Sequence, residues 1–177
     1  MKSAIKILVV LTFTFYLGGK LNAHEVKSSA LEEANREHAI YCMEILENRP
    51  DLEISHRISI LRNECYSENF IEHAPNIDGG REVLLSLFEK RYKKYPELSM
   101  SIKRTASEGD LVWIHLHVKH TPESLGAAGI HIFRMRDGKI VEHWDTTEEV
   151  PPVDLWQNNN GKFVTLQPSE VIWADLA

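Results

Sequence analysis

The sequence predicts an α+β fold, with a curved, mostly antiparallel sheet packed on one face by three N-terminal helices. Apolar residues recur at an approximately helical spacing through residues 31–94, then at a spacing of two from residue 98 onward. Helical segments that precede the strands, rather than alternating with them, lead to helices stacked on one side of an antiparallel sheet. A third observation marks a hairpin. Asp137-Gly138 stands between two strand-like runs, and Asp-Gly favours the two-residue turn with positive φ at both central positions.

The elements follow in order. Residues 1–23 have the pattern of a signal peptide. Lys2 and Lys6 supply a basic start, Ile7 to Leu17 an apolar run, and Leu21-Asn22-Ala23 a small-residue cleavage point before His24. The apolar run is short for a membrane span. The chain is therefore expected to be exported, periplasmic or secreted, with no membrane attachment after cleavage. Residues 24–30 are expected to form a mobile start. Leu31 to Leu46 carries Leu31, Ala34, Ala39, Ile40, Met43, Ile45 and Leu46 at an approximate helical spacing, and Asn48-Arg49-Pro50-Asp51 breaks that helix. Leu52 to Cys65 predicts a second helix and Phe70 to His73 a short strand before Ala74-Pro75. Arg81 to Lys94 predicts a third helix, stopped by Tyr95-Pro96. Strands are then expected over Leu98–Ala106, Leu111–His120, Ala128–Arg136 and Lys139–Thr146. The domain is drawn at residues 24–163, and residues 164–177 are expected to be a tail lying over the surface.

The chain has 177 residues and a formal charge of −6. Removing Lys2, Lys6 and Lys20 with the signal segment makes the rest more acidic, which disfavours nucleic acid and anionic membranes as partners. No P-loop, Rossmann glycine pattern or serine nucleophile elbow is present. The two cysteines, Cys42 and Cys65, both fall in the predicted helical region. An oxidising compartment would allow a disulfide between them, and free helix-embedded cysteines are the alternative.

Histidines are the candidates for chemistry. In the strand Leu111–His120 one face carries Val112, Ile114, Leu116 and Val118, and the other Trp113, His115, His117 and Lys119. His115 and His117 could ligate a metal together with His143, or simply form a polar sheet face; the spacing lacks a fixed acid, so no metal or cofactor is assigned. His131 shares its face with Gly129, Phe133 and Met135, as a pocket wall would. His143 and Asp145 share one face of the last strand, and Glu142 and Trp144 the other. His73, before Ala74-Pro75, can be aimed inward by the proline or left in water.

Several blocks together resemble the SnoaL-like polyketide cyclase family, within the superfamily of ketosteroid isomerase and nuclear transport factor 2. They are Ile71-Glu72-His73-Ala74-Pro75, Asp78-Gly79-Gly80-Arg81-Glu82, Glu108-Gly109-Asp110-Leu111-Val112, Ile132-Phe133-Arg134, the run from Asp137 to Asp145, and Asn158 to Phe163. The resemblance runs from about Glu37 to Phe163. It implies a cone-shaped α+β barrel, often a homodimer, with a deep pocket. It also implies proton removal beside a carbonyl and stabilisation of the enolate, without metal or cofactor. The family commonly has an acid just before Ile-Phe-Arg, where this chain has His131. Isomerase-like relatives place a carboxylate base at the position matching His73, and a pocket tyrosine roughly at Tyr41.

The expected function is acid–base chemistry on a small hydrophobic or carbonyl-containing molecule. His73 is the expected base and His131 the oxygen donor or alternate base. Tyr41, His115, His117, Phe133, Trp144 and Asp145 are expected to line the pocket or assist. The alternative is a non-catalytic binding module for a hydrophobic metabolite.

Overall fold

The structure, a computed structural model, describes residues 19–46, 49 and 51–164, with side chains from residue 30 onward. Helix α1 spans Gly19–Leu46 and helix α2 Ile54–Ile60, which passes into a π-helical turn over Leu61–Cys65. Strand β1 (Tyr66–Glu72) and helix α3 (Arg81–Lys94) come next. The strands β2 (Ser99–Glu108), β3 (Leu111–Lys119), β4 (Ala127–Arg136) and β5 (Lys139–Glu149) complete the sheet. Three helices and a five-stranded, mostly antiparallel sheet make the α+β architecture expected from the change of apolar spacing. Two differences concern boundaries. Helix α1 begins at Gly19, so the expected loose segment at residues 24–30 is helical backbone. Strand β1 begins at Tyr66, well before Phe70, and absorbs the region after Cys65. Residues 1–18 of the expected signal segment and residues 165–177 of the expected tail lie outside the described residues. No described helix is long and apolar enough to cross a membrane.

The strand order is β1-β5-β4-β3-β2. The last four pair antiparallel in chain order, while β1 returns to pair parallel with β5, the last strand. Asp137 and Gly138 have φ of 51° and 69°, the left-handed values that the tight β4–β5 turn requires. Helix α1 packs on β2 and β3, and α3 on β1. Alternation along β3 sends Val112, Ile114, Leu116 and Val118 into the core beneath these helices. Phe133, Met135 and Ile140 join them from β4 and β5.

The open carbonyls at the end of α1 are satisfied from elsewhere. Buried Arg57 donates to the carbonyls of Ile45 and Leu46, and the Tyr92 hydroxyl donates to Leu46 at 3.0 Å. Arg57 also lies over the Tyr92 ring at 3.8 Å, which ties α1, α2 and α3 together. Cys42 on α1 and Cys65 at the end of the π-helical turn form a disulfide, with Cα atoms 5.6 Å apart.

A candidate active site at the end of the sheet

Strand parity decides which histidines enter the molecule. On β4, His131 follows Gly129 and precedes Phe133 and Met135 on the inward face. On β5, a register shift opposite Arg134 and Met135 lets Ile140 and His143 both point inward, although they are three residues apart. On β1, Glu72 pairs with His143 in parallel register, so its side chain also turns inward and has 0% exposure.

These three residues form a chain of hydrogen bonds. The Glu72 carboxylate lies 2.9 and 3.0 Å from His143 Nδ1. His143 Nε2 lies 2.9 Å from His131 Nδ1. The carboxylate also accepts the Ala74 amide at 3.0 Å. Phe133 stacks on His143 at 4.9 Å and holds the ring in place. Because an ionised carboxylate only accepts, His143 Nδ1 must carry a proton. When His143 is neutral, its Nε2 accepts from His131 Nδ1–H, and His131 Nε2 is left as a bare lone pair. Gly129 keeps that nitrogen clear; a Cβ at residue 129 would sit 3.1 Å from Nε2.

His131 Nε2 has no protein partner among the described residues, and no buried side-chain nitrogen or oxygen among them is left unsatisfied, so Nε2 is open to the adjoining space. That space is a cavity of about 380 Å³ between the end of α3, the loop after β3, and the ends of β4 and β5. Its polar side chains include His131, Asp145, Thr147, Glu149, Arg91 and His120. Burial, then the nearby charges of His143 and Arg91, push the pKa of His131 down to about 3, so it is neutral at physiological pH. Burial raises the pKa of the Glu72 carboxyl, but the His143 hydrogen bond and charge, with the backbone amides of Ala74 and His73, outweigh it and leave the pKa below its ordinary value.

The expected pairing of His73 with His131 is not formed. His73 follows Glu72 by one residue and so turns to the opposite face, with its Nε2 2.8 Å from Glu142 and its ring stacked on Trp144 at 4.6 Å. Trp144 is on that outer face for the same reason, and does not wall the cavity. His115 and His117 also lie on the outer face, against Phe163 at 5.6 and 3.9 Å, so neither assists His131. Their separation from inward-facing His143 also removes the metal triad considered from the sequence. Tyr41 donates to Glu64 at 2.7 Å beside the disulfide, outside the cavity lining. Asp145 does line the cavity, and its one side-chain hydrogen bond among the described residues comes from Thr147, not from a histidine. Glu72, His143 together with Nδ1 of His131, and Arg91 were not recognisable as a group. Glu72 lies in the run Ile71-Glu72-His73-Ala74-Pro75, but its inward aim depends on pairing with β5, a strand distant in sequence.

Residues 56–143 match the model of the SnoaL-like domain. This is shorter than the Glu37–Phe163 stretch suggested by the motifs, and it includes Glu72, His131 and His143. No curated protein matches the chain. A candidate ketosteroid isomerase from Kribbella flavida aligns with a TM-score of 0.55 and 15% identity, covering 77% of this chain and 97% of that one. A candidate SnoaL-like polyketide cyclase from Jannaschia aligns at 0.53 and 16% identity, over 66% and 87%. A nuclear transport factor 2-like protein of unknown function from Burkholderia xenovorans aligns at 0.52 and 16%, over 69% and 88%. These identities speak to the fold alone. The match over residues 56–143 identifies a SnoaL-like domain in this chain, and the three solved structures share its α+β fold.

Proposed function

We propose that this protein is an exported, cofactor-independent acid–base catalyst that removes a proton beside a carbonyl, in an isomerase or aldol-cyclase type of reaction. The observation that carries the reading is the Glu72–His143–His131 chain ending in an open nitrogen at a cavity. A histidine protonated only near 3 is by itself a weak base. The chain supplies the remedy. As His131 Nε2 takes a proton from carbon, its Nδ1 proton can pass to His143 Nε2. The positive charge then rests on His143, against the Glu72 carboxylate, rather than on the ring at the cavity. The carboxylate also holds the proton on His143 Nδ1 and so keeps both rings in the tautomers that the transfer needs.

Export is supported by the N-terminal sequence pattern and by the Cys42–Cys65 disulfide, a bond that persists in oxidising compartments. A homodimer is supported by the outer sheet face, where Ile71 and Ile130 are 53% and 39% exposed beside Trp144. Sedimentation of the purified protein tests the dimer, and a single monomeric species would refute it.

The activity is tested by exchange of α-protons for deuterium in a panel of β-dicarbonyl compounds. Wild type is expected to catalyse exchange, His131→Gln to lose about a hundredfold or more, and His73→Ala to keep most of it. Binding without exchange in wild type would favour the alternative, a binding module for a hydrophobic metabolite. Equal exchange by wild type and His131→Gln would remove His131 from the chemistry.

A further inference from the structure

Arg91 lies in the last turn of α3, with Lys93 and Lys94. The partial negative charge at a helix end favours all three cations. Lys93 and Lys94 are exposed, whereas Arg91 is half-buried and lines the same cavity as His131. Its one side-chain hydrogen bond among the described residues runs from Nη2 to His120 Nε2 at 3.3 Å. This bond makes His120 an acceptor, and so a neutral group that cannot balance the charge. His120 is held in turn by stacking on Tyr95 at 4.3 Å. Asp145 and Glu149 share the cavity wall, yet neither forms an ion pair with Arg91. The remaining guanidinium N–H groups are not sealed in protein without partners. They open to the cavity or to water.

A half-buried guanidinium with a neutral partner is costly unless something brings it an anion. A guanidinium also presents a planar fork of donors that fits a carboxylate through two parallel hydrogen bonds. Its charge reaches His131 and depresses that ring further, which places the two groups at one site. We infer that Arg91 is a specificity residue and that the cavity takes a carbonyl compound bearing a carboxylate, with the acid group on Arg91 and the reacting carbon toward His131. The cavity volume of about 380 Å³ suits a small acid of this kind. This inference rests on reading the cavity as the substrate site, but it is tested by binding alone, so it can fail or hold independently of turnover.

The probes are 3-benzoylpropionate and its methyl ester, which share a ketone, a ring and nearly the same size. Dissociation constants are measured by calorimetry for wild type, Arg91→Gln, Arg91→Lys and His131→Gln, with near-ultraviolet circular dichroism to confirm folding. Wild type is expected to bind the acid at least tenfold more tightly than the ester. Arg91→Gln should abolish that preference, Arg91→Lys should keep part of it, and His131→Gln should leave it in place. Equal affinity of wild type for acid and ester overturns the inference, and this comparison needs no variant. Preference for the acid that survives in a folded Arg91→Gln also overturns it.

Discussion

Replacing Glu72 by Gln removes one charge from the innermost position of the hydrogen-bonded chain while keeping its shape. The Glu72 side chain has no exposed surface and contacts His143 Nδ1 at 2.9 and 3.0 Å. Glutamine can still accept one hydrogen bond there, so the loss is that of the charge. Exchanging a charge-assisted for a neutral hydrogen bond costs about 1–2 kcal/mol of stability. That loss depends on pH. The folded carboxyl ionises below its ordinary value of 4.5, so its contribution is fully present above that value and disappears as pH falls through the lower folded value. Urea denaturation is expected to show wild type ahead by about 1–2 kcal/mol at about pH 7, with the gap narrowing as pH falls below the ordinary value of 4.5. The effect on catalysis is larger. Charge centres roughly 4 Å apart at an effective dielectric near 20 attract by about 4 kcal/mol, which caps the loss of proton-abstraction rate at about a thousandfold. The α-proton exchange assay reads that loss, and nitrogen-15 NMR of the imidazoles reads the tautomers directly. A stability gap that stays the same above and below 4.5 would refute a contribution from the Glu72 charge. The tautomer assignment is refuted if NMR finds the neutral His131 of wild type carrying its proton on Nε2 instead of Nδ1.

Three further outcomes are expected. His131 takes a proton near 6.5 in the unfolded chain but only near 3 when folded, so acidification below 6.5 favours the unfolded state, by about 2 kcal/mol by about pH 5; thermal melts of His131→Gln should show a flatter pH dependence over that window than wild type. Gly129→Ala would put a Cβ 3.1 Å from His131 Nε2 and 3.3 Å from Cδ2; proton exchange should fall by about tenfold or more with stability altered by about 1 kcal/mol at most, and unchanged exchange would show that the ring edge is not the working face. Cys42 and Cys65 are fully buried and 23 residues apart; replacing both with Ala should cost about 3 kcal/mol in chemical denaturation, and equal stability of the two proteins would refute a stabilising role.

The fold was legible in the chain because its main signals are local. The apolar alternation from Leu111 to Val118 orients β3 without reference to any other segment, and Asp137-Gly138 joins β4 to β5 through a turn that those two residues favour. The inward aim of His131 followed from the same alternation, since Gly129, Phe133 and Met135 identify its face. The candidate base was misplaced because no local signal governs the end of β1. His73 and Glu72 are neighbours in sequence, and a single step along a strand exchanges the inside for the outside.

The sequence by itself determined the α+β class, the β4–β5 hairpin, the family resemblance and the inward position of His131, all through spacing and turn chemistry within short segments. Only the tertiary structure decided that Glu72 meets His143, because β1 leaves its chain neighbours and pairs parallel with β5. The register shift in β5 then brings His143 under His131, and α3 brings Arg91 to the same cavity. Those contacts join residues far apart in the chain, and their geometry is set by strand register and helix packing, which alternation of side chains cannot specify.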